Sequence, residues 1–166
     1  MIKACVKLLL LSTFTFTITM CNNDEPEAKL VTIRNDSLVL ELVQREVLLE
    51  VLEQGLFESK KTLVERVNRF DKNKSDTLIT FSSLKDTVSI LKANGNLILI
   101  KFYVSDPRVK IGFLKIGSKL ELNKDMVPND FTGHVLFSGT EGLNVFNLTV
   151  GNGDLKKIKY QLDYLD

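Results

Sequence analysis

The chain has 166 residues with 22 Lys and Arg, 21 Asp and Glu and one His, which gives a formal net charge of +1 at pH 7. Nucleic-acid-binding proteins usually carry a basic surplus on one face, so this balance argues against nucleic acid as a partner. The two lysine pairs, Lys60-Lys61 and Lys156-Lys157, are interpreted as parts of solvated faces. The length fits one domain whose core needs neither a disulfide nor a metal ion.

The N-terminus has the layout of an export signal. Lys3 and Lys7 provide positive charge, and a short apolar stretch runs from Leu8 to Met20. A membrane-spanning helix needs roughly 20 apolar residues, and this stretch is shorter and is followed at once by polar and acidic residues. Residues 1–20 are therefore predicted to be a signal peptide.

The end of this segment, Ile18-Thr19-Met20-Cys21, resembles a bacterial lipobox, with Met20 in place of the usual small residue. The resemblance implies that Cys21 is acylated, with chains such as palmitate, and becomes the mature N-terminus. Cleavage would remove Cys5 and leave one cysteine, whose thiol acylation would occupy. A plain secreted protein, an uncleaved anchor and a free thiol on a flexible tail remain alternatives.

The predicted mature chain divides into a tether and one domain. Loss of two lysines from the 22 basic residues leaves 20 against 21 acidic ones, a net charge near −1. Residues 21–35 are polar and acidic and contain Pro26, so they are predicted to form a lipid-anchored flexible tether. Residues 36–166 are predicted to form a single α+β domain.

Two helices are predicted at the start of this domain. Apolar residues recur every four positions from Val39 to Val51, which predicts a helix ending near Gly55. Its first part, Ser37–Val43, also alternates as a strand does, so the helix is predicted from Gln44 onward and a strand over Ser37–Val43 remains an alternative. A second helix is predicted over Lys60–Phe70, capped by Ser59.

After Asp76 the apolar spacing changes to a period of two, which predicts antiparallel strands. Asn94-Gly95 and Asn152-Gly153 have the composition of tight hairpin turns. The fold class is therefore α+β: one or two N-terminal helices packed on a mainly antiparallel sheet of about six strands. The predicted strands are Thr77–Ser82, Thr87–Leu91, Leu97–Val104, His134–Phe137, Leu143–Val150 and Leu155–Tyr164.

Four segments in the second half are similar to stretches of small, uncharacterised bacterial lipoproteins. This resemblance implies a short helix over Lys119–Met126 and carries no assigned activity. The segments are Ser75–Leu78, Lys85–Thr87, Ile111–Lys119 and Gly153–Tyr160.

Asp71, Asn73 and Ser75 alternate as oxygen ligands do at the start of a calcium loop. The pattern then breaks, because Asp76 stands where a glycine is expected and Ser82 stands where a bidentate glutamate should close the site. A polar loop between two elements is the favoured interpretation. No metal or other cofactor is predicted.

The sequence offers no catalytic constellation. His134 is the only histidine, so a multi-histidine metal site is impossible, and its place at the start of a strand favours a structural role. Cys21 lies on the tether and cannot serve as a domain nucleophile.

Two classes of function follow. The first is a membrane-anchored, non-catalytic binding or interaction domain in the bacterial cell envelope, on the periplasmic or outer-membrane surface, including proteins of inhibitor or immunity type. Its partners would be the membrane, through the lipid, and an unidentified protein. The alternative is an extracytoplasmic enzyme or small-ligand carrier whose site is assembled from distant residues.

Overall fold

The computed structural model describes residues 28–54, 56, 59–122, 127–142 and 144–162. Cys21 and the predicted signal peptide lie outside them. The elements, in chain order, are β1 (Lys29–Arg34), α1 (Asp36–Val43), α2 (Arg45–Glu53), β2 (Lys60–Val67), β3 (Ser75–Ser82), β4 (Thr87–Ala93), β5 (Asn96–Val104), β6 (Lys110–Ile111), β7 (Leu114–Lys115), β8 (Gly133–Ser138), β9 (Val145–Gly151) and β10 (Asp154–Gln161).

Eight of the strands form one sheet in the order β1-β8-β9-β10-β5-β4-β3-β2, and β6 pairs with β7 in a small ladder. The strand β1 is parallel to β8, whereas all other neighbours in the large sheet are antiparallel. The sheet is therefore mainly antiparallel, as predicted, but larger than the predicted six strands. Its two edges are β1 and β2.

The two helices cover one face of the sheet. Asn35 caps α1, because its side-chain oxygen accepts a hydrogen bond from the Leu38 backbone N–H at 3.1 Å. The single residue Gln44, with extended backbone angles, separates α1 from α2. Leu42 and Leu48 point to the sheet and are wholly buried. The predicted first helix is thus confirmed, as two short helices. The prediction that the helices are N-terminal is wrong, because strand β1 precedes them, and the described part of the chain is mostly β-strand.

The hydrophobic core lies between these helices and the middle of the sheet. Alternate residues of β5, β8, β9 and β10 face the helices, as the period-two pattern requires. The rings of Phe146 and Tyr160 stack with their centroids 4.5 Å apart. The largest wholly buried side chains include Phe102, Phe137, Phe146, Leu148, Leu155 and Tyr160.

The predicted hairpins are confirmed. Asn94 and Gly95 have φ values of 50° and 81° between β4 and β5, and Asn152 and Gly153 have values of 55° and 78° between β9 and β10. Positive φ at both central residues is the type I′ geometry, which matches the twist of the flanking strands. The six predicted strands correspond to β3, β4, β5, β8, β9 and β10.

The predicted second helix, Lys60–Phe70, is wrong, because residues 60–67 form strand β2 and pair with β3 along its whole length. Leu63, Val64 and Val67 satisfy a helical spacing, but their segment also contains β-branched residues that suit a strand. An isolated helix of this length is marginal, so a full ladder of hydrogen bonds to β3 outweighs the local preference.

The predicted flexible tether is too long at its C-terminal end. Its last part forms β1, in which Ile33 is buried against the core. The partner strand β8 lies about a hundred residues later, so no local turn signal predicts this pairing.

The predicted helix over Lys119–Met126 also fails where the structure describes it, because Lys119 forms a β-bridge with Asp154. Residues 123–126 lie outside the described residues.

Candidate functional site at the β2 edge

The outer edge of β2 is the most exposed part of the sheet. All eight residues of β2 are exposed, and the strand pairs only with β3. Apolar side chains are included, since Leu63 is 61% exposed and Val67 is 67% exposed. The pairing with β3 runs through eight consecutive residue pairs without a bulge. This edge is therefore a continuous strand whose outer side has no neighbouring strand in the described part of the chain.

The hairpin geometry fixes which backbone groups point outward. The Asn68 N–H donates to the Lys74 carbonyl at 2.8 Å, so Asn68 and Lys74 face each other as a hydrogen-bonded pair. Antiparallel ladders alternate from residue to residue, which directs the backbone groups of Thr62, Val64 and Arg66 toward β3. The N–H and C=O groups of the alternate residues, Lys61, Leu63, Glu65 and Val67, then point away from the sheet.

A buried polar pair holds the turn between β2 and β3. The Asn68 amide donates to both carboxylate oxygens of Asp76, at 2.8 and 3.0 Å, and both residues are buried. The Asn68 side-chain oxygen accepts from the backbone N–H groups of Phe70 and Asp71, at 2.9 and 2.8 Å. These bonds fix the loop while the Phe70 side chain stays 81% exposed.

Beside this turn lies a surface depression of about 480 Å³, between the β2–β3 and β4–β5 hairpins. It is on the open face of the sheet, the face opposite α1 and α2. Pairing across the strands places Val64, Leu78, Leu91 and Ile98 in one apolar row that leads into it. The depression is lined by apolar and polar side chains that include Phe70, Leu91, Ile98, Arg66, Arg69 and Asp76.

The charges at this edge are mainly positive. Residues 60–70 contain four basic side chains, Lys60, Lys61, Arg66 and Arg69, and one acidic side chain, Glu65. Within the described part of the chain, neither Arg66 nor Arg69 has a carboxylate partner. The edge thus combines free backbone groups, apolar side chains and a positive charge.

The calcium-loop candidates lie in the β2–β3 turn and serve the turn itself. Asp71 accepts a hydrogen bond from the Asn73 backbone N–H at 3.1 Å and forms an ion pair with Lys74 at 3.0 Å. Ser75 is the first residue of β3, so a strand follows the loop where a calcium-binding motif would require a helix. Among the described residues there is no group of three or more His, Cys, Asp or Glu side chains that could hold a metal ion.

The structure does not bring the other sequence candidates together. His134 lies in β8 on the open face, opposite Thr149 of β9, and its buried Nδ1 atom has no hydrogen-bond partner in the described part of the chain. It belongs to a different part of the sheet from the β2 edge.

Within the described ranges, no helix is long and apolar enough to cross a bilayer.

A second group of polar residues lies at the opposite end of β3 and β5, where it holds two loops together. The Asp86 carboxylate accepts hydrogen bonds from the Ser105 backbone N–H at 2.9 Å and its hydroxyl at 2.8 Å, and from the Asp106 backbone N–H at 2.9 Å. Hydrogen bonds from Arg108 lower the pKa of Asp106 to about 2. These carboxylates are therefore engaged in structural contacts.

The β2 edge was missed at the sequence level because its residues were assigned to a helix. The β-branched residues Thr62, Val64 and Val67 were the signal that could have revealed it. Comparison with protein-family models, curated proteins and solved structures finds no match to this chain. The function must therefore be argued from the geometry of the site.

Proposed function

We propose that this protein is a lipid-anchored, extracytoplasmic domain of the bacterial cell envelope that binds a protein partner and catalyses no reaction. Cys21 carries the anchor, and the partner adds an extended segment to the outer edge of β2. The observation that supports this proposal is that all eight residues of β2 are exposed, with the backbone groups of four of them directed away from the sheet. Addition of a strand to a free sheet edge is a recurrent mode of peptide recognition.

The character of β2 favours binding over accidental exposure. Natural proteins protect free edges by charged side chains, by shortening them, by bulges, by proline or by covering them, because a long regular edge invites aggregation. The β2 strand has eight residues with a regular register and no proline. Its lysines and arginine supply the charge that discourages indiscriminate pairing, so a specific partner must complement that charge.

The β2 edge is the sheet edge opposite β1, the strand that follows the predicted tether. The strands β1 and β2 run in the same direction at opposite edges of the sheet, seven strand spacings or roughly 34 Å apart. The predicted tether enters at Lys29, the first residue of β1, whereas the β2–β3 turn follows Val67, the last residue of β2. Six strands therefore separate β2 from β1, the strand at which the predicted tether enters.

Site-specific photocrosslinking in intact cells tests the binding site. A photoreactive phenylalanine analogue at Leu63 should give a defined adduct with one envelope protein, whereas the same group at exposed Lys159, on β10, should not. Glu65→Pro removes an outward N–H without breaking the ladder to β3 and should abolish the adduct. Glu65→Ala, which removes the same carboxylate and keeps the N–H, should retain it. Equal adducts from Leu63 and Lys159, or an adduct unaffected by Glu65→Pro, would contradict the proposal.

The anchor is tested by Cys21→Ser. Several acyl chains hold a protein firmly at a membrane, at about 0.8 kcal/mol per buried CH₂. The wild-type protein should fractionate with membranes and show acyl mass on an N-terminal Cys21, whereas the variant should remain uncleaved or be released. A mature N-terminus elsewhere, or Cys21 without acyl mass, would refute this part of the proposal.

A further inference from the structure

We infer that the partner segment is acidic and carries a large apolar side chain that sits beside Phe70 in the depression between the two hairpins. This inference rests on the proposed function, because it describes what would pair with the β2 edge. It commits to one class of occupant, an extended segment of another protein, and specifies the residues that recognise it.

Charge complementarity supports an acidic partner. The edge and its turn, residues 60–74, carry six basic groups against two acidic groups, while the predicted mature chain as a whole has a net charge near −1. Positive charge is therefore concentrated where the proposed segment would pair. Opposite charges across an interface speed association and suppress partners of like charge. A second copy of this chain would bring two edges of the same positive sign together, which disfavours self-pairing.

The depression supplies the second determinant. A strand added beside β2 would place alternate side chains on the open face, in line with Val64 and Arg66. Near the end of β2 these side chains would meet the depression of about 480 Å³ that Phe70 partly walls. Because the Asn68 side-chain oxygen accepts hydrogen bonds from the backbone N–H groups of Phe70 and Asp71, the backbone that carries the Phe70 side chain is held in place before binding. A bulky apolar side chain of the partner can fill this space beside the guanidinium groups of Arg66 and Arg69.

The same turn could meet an anionic membrane, since an exposed aromatic side chain and basic residues also suit lipid head groups. The continuous row of outward backbone groups along β2 suits a polypeptide, which can hydrogen-bond to it, better than lipid. The two occupants are separated by experiment.

The test uses the full chain in detergent and a synthetic probe, acetyl-Thr-Glu-Thr-Val-Thr-Glu-Thr-Phe-Thr-amide. As an extended strand, this peptide presents both glutamates and the phenylalanine on one face. Isothermal titration calorimetry should show binding that is at least about tenfold tighter than that of the matched peptide with lysine in place of glutamate. Alanine in place of the peptide's phenylalanine should weaken binding to wild type but have little effect on binding to Phe70→Ser.

A charge exchange makes the test independent of folding defects. The double variant Arg66→Glu, Arg69→Glu should prefer the lysine peptide, because its turn carries the opposite charge. An unfolded protein would lose both peptides alike, so a reversed preference cannot come from a folding defect. Equal binding of the two peptides, or binding of neither, would overturn the inference, while the Leu63 crosslink with its proline control would still decide the proposed function. Dimerisation of the free chain in sedimentation would also overturn it. So would Phe70-dependent flotation of the protein with phosphatidylglycerol vesicles, if these vesicles displace the acidic peptide.

Discussion

The two ends of the eight-stranded sheet differ in what covers them. At β8 and β9, side chains that face the helices are wholly buried, as Phe137, Phe146 and Leu148 are. At the other end, every residue of β2 is exposed and the backbone of its outer side has no neighbouring strand among the described residues. Since hydrophobic stabilisation grows with the apolar area removed from water, stability is concentrated at the covered end. The β2 edge can therefore bind without being essential to the core.

The same substitution at both ends should show the largest contrast. Leu148→Ala in β9 leaves a cavity in the core and should lower the free energy of unfolding by about 3 to 5 kcal/mol. Leu63→Ala in β2 removes a largely exposed side chain and should cost less than about 1 kcal/mol. Chemical denaturation of the two variants and the wild type measures both values. Similar losses would show that β2 is packed as the core is, contrary to this comparison.

The difference between the two ends also explains which features could be read from the sequence. Asn94-Gly95 and Asn152-Gly153 specify their hairpins locally, because few other residues adopt positive φ at both positions. The strand β1 could not be recognised in this way, since its partner β8 is distant in the chain. The apolar residues of β2 fit a helical period as well as a strand, and only pairing with β3 decides between them. The candidate site was missed for that reason.

Two turn glycines, Gly153 and Gly95, should differ in how much stability is lost when a side chain is added. Gly153 has φ +78°, and a Cβ built there would lie 1.8 Å from the backbone oxygen of Asn129. Gly95, in the β4–β5 hairpin, has φ +81° with nothing within 4 Å of such a Cβ. Gly153→Ala should therefore cost about 2 kcal/mol or more, and Gly95→Ala only about 1 kcal/mol, the cost of the left-handed backbone alone. Thermal unfolding of both variants checks the order, and an equal loss would contradict the close approach at Gly153.

A tyrosine at the covered end should give a smaller, pH-dependent effect. Tyr160 donates a hydrogen bond to the Asn144 side-chain oxygen at 2.7 Å, and burial raises the pKa of Tyr160 to about 12. The pKa of an unfolded tyrosine is about 10, so this stabilisation is complete below about pH 10 and is lost as pH rises toward about 12. Tyr160→Phe should cost about 1 kcal/mol at neutral pH and make the alkaline loss of stability shallower.

The control is Tyr103→Phe, which removes a partly exposed hydroxyl that bonds to Gln161. This variant should keep the steep alkaline decline of the wild type. Denaturant midpoints between about pH 9 and about pH 12 measure the effect. An unchanged decline in Tyr160→Phe would show that Tyr160 does not resist ionisation in the folded protein.

Amide hydrogen exchange along β2, followed by NMR, tests the central claim most directly. In the free protein, the N–H groups of Lys61, Leu63, Glu65 and Val67 should exchange rapidly, while those of the intervening residues, which are bonded to β3, should be protected. When the protein captured by the Leu63 crosslinker is added, the four outward N–H groups should become protected as a set. Protection of these four in the free protein, or continued rapid exchange in the complex, would contradict strand addition at β2.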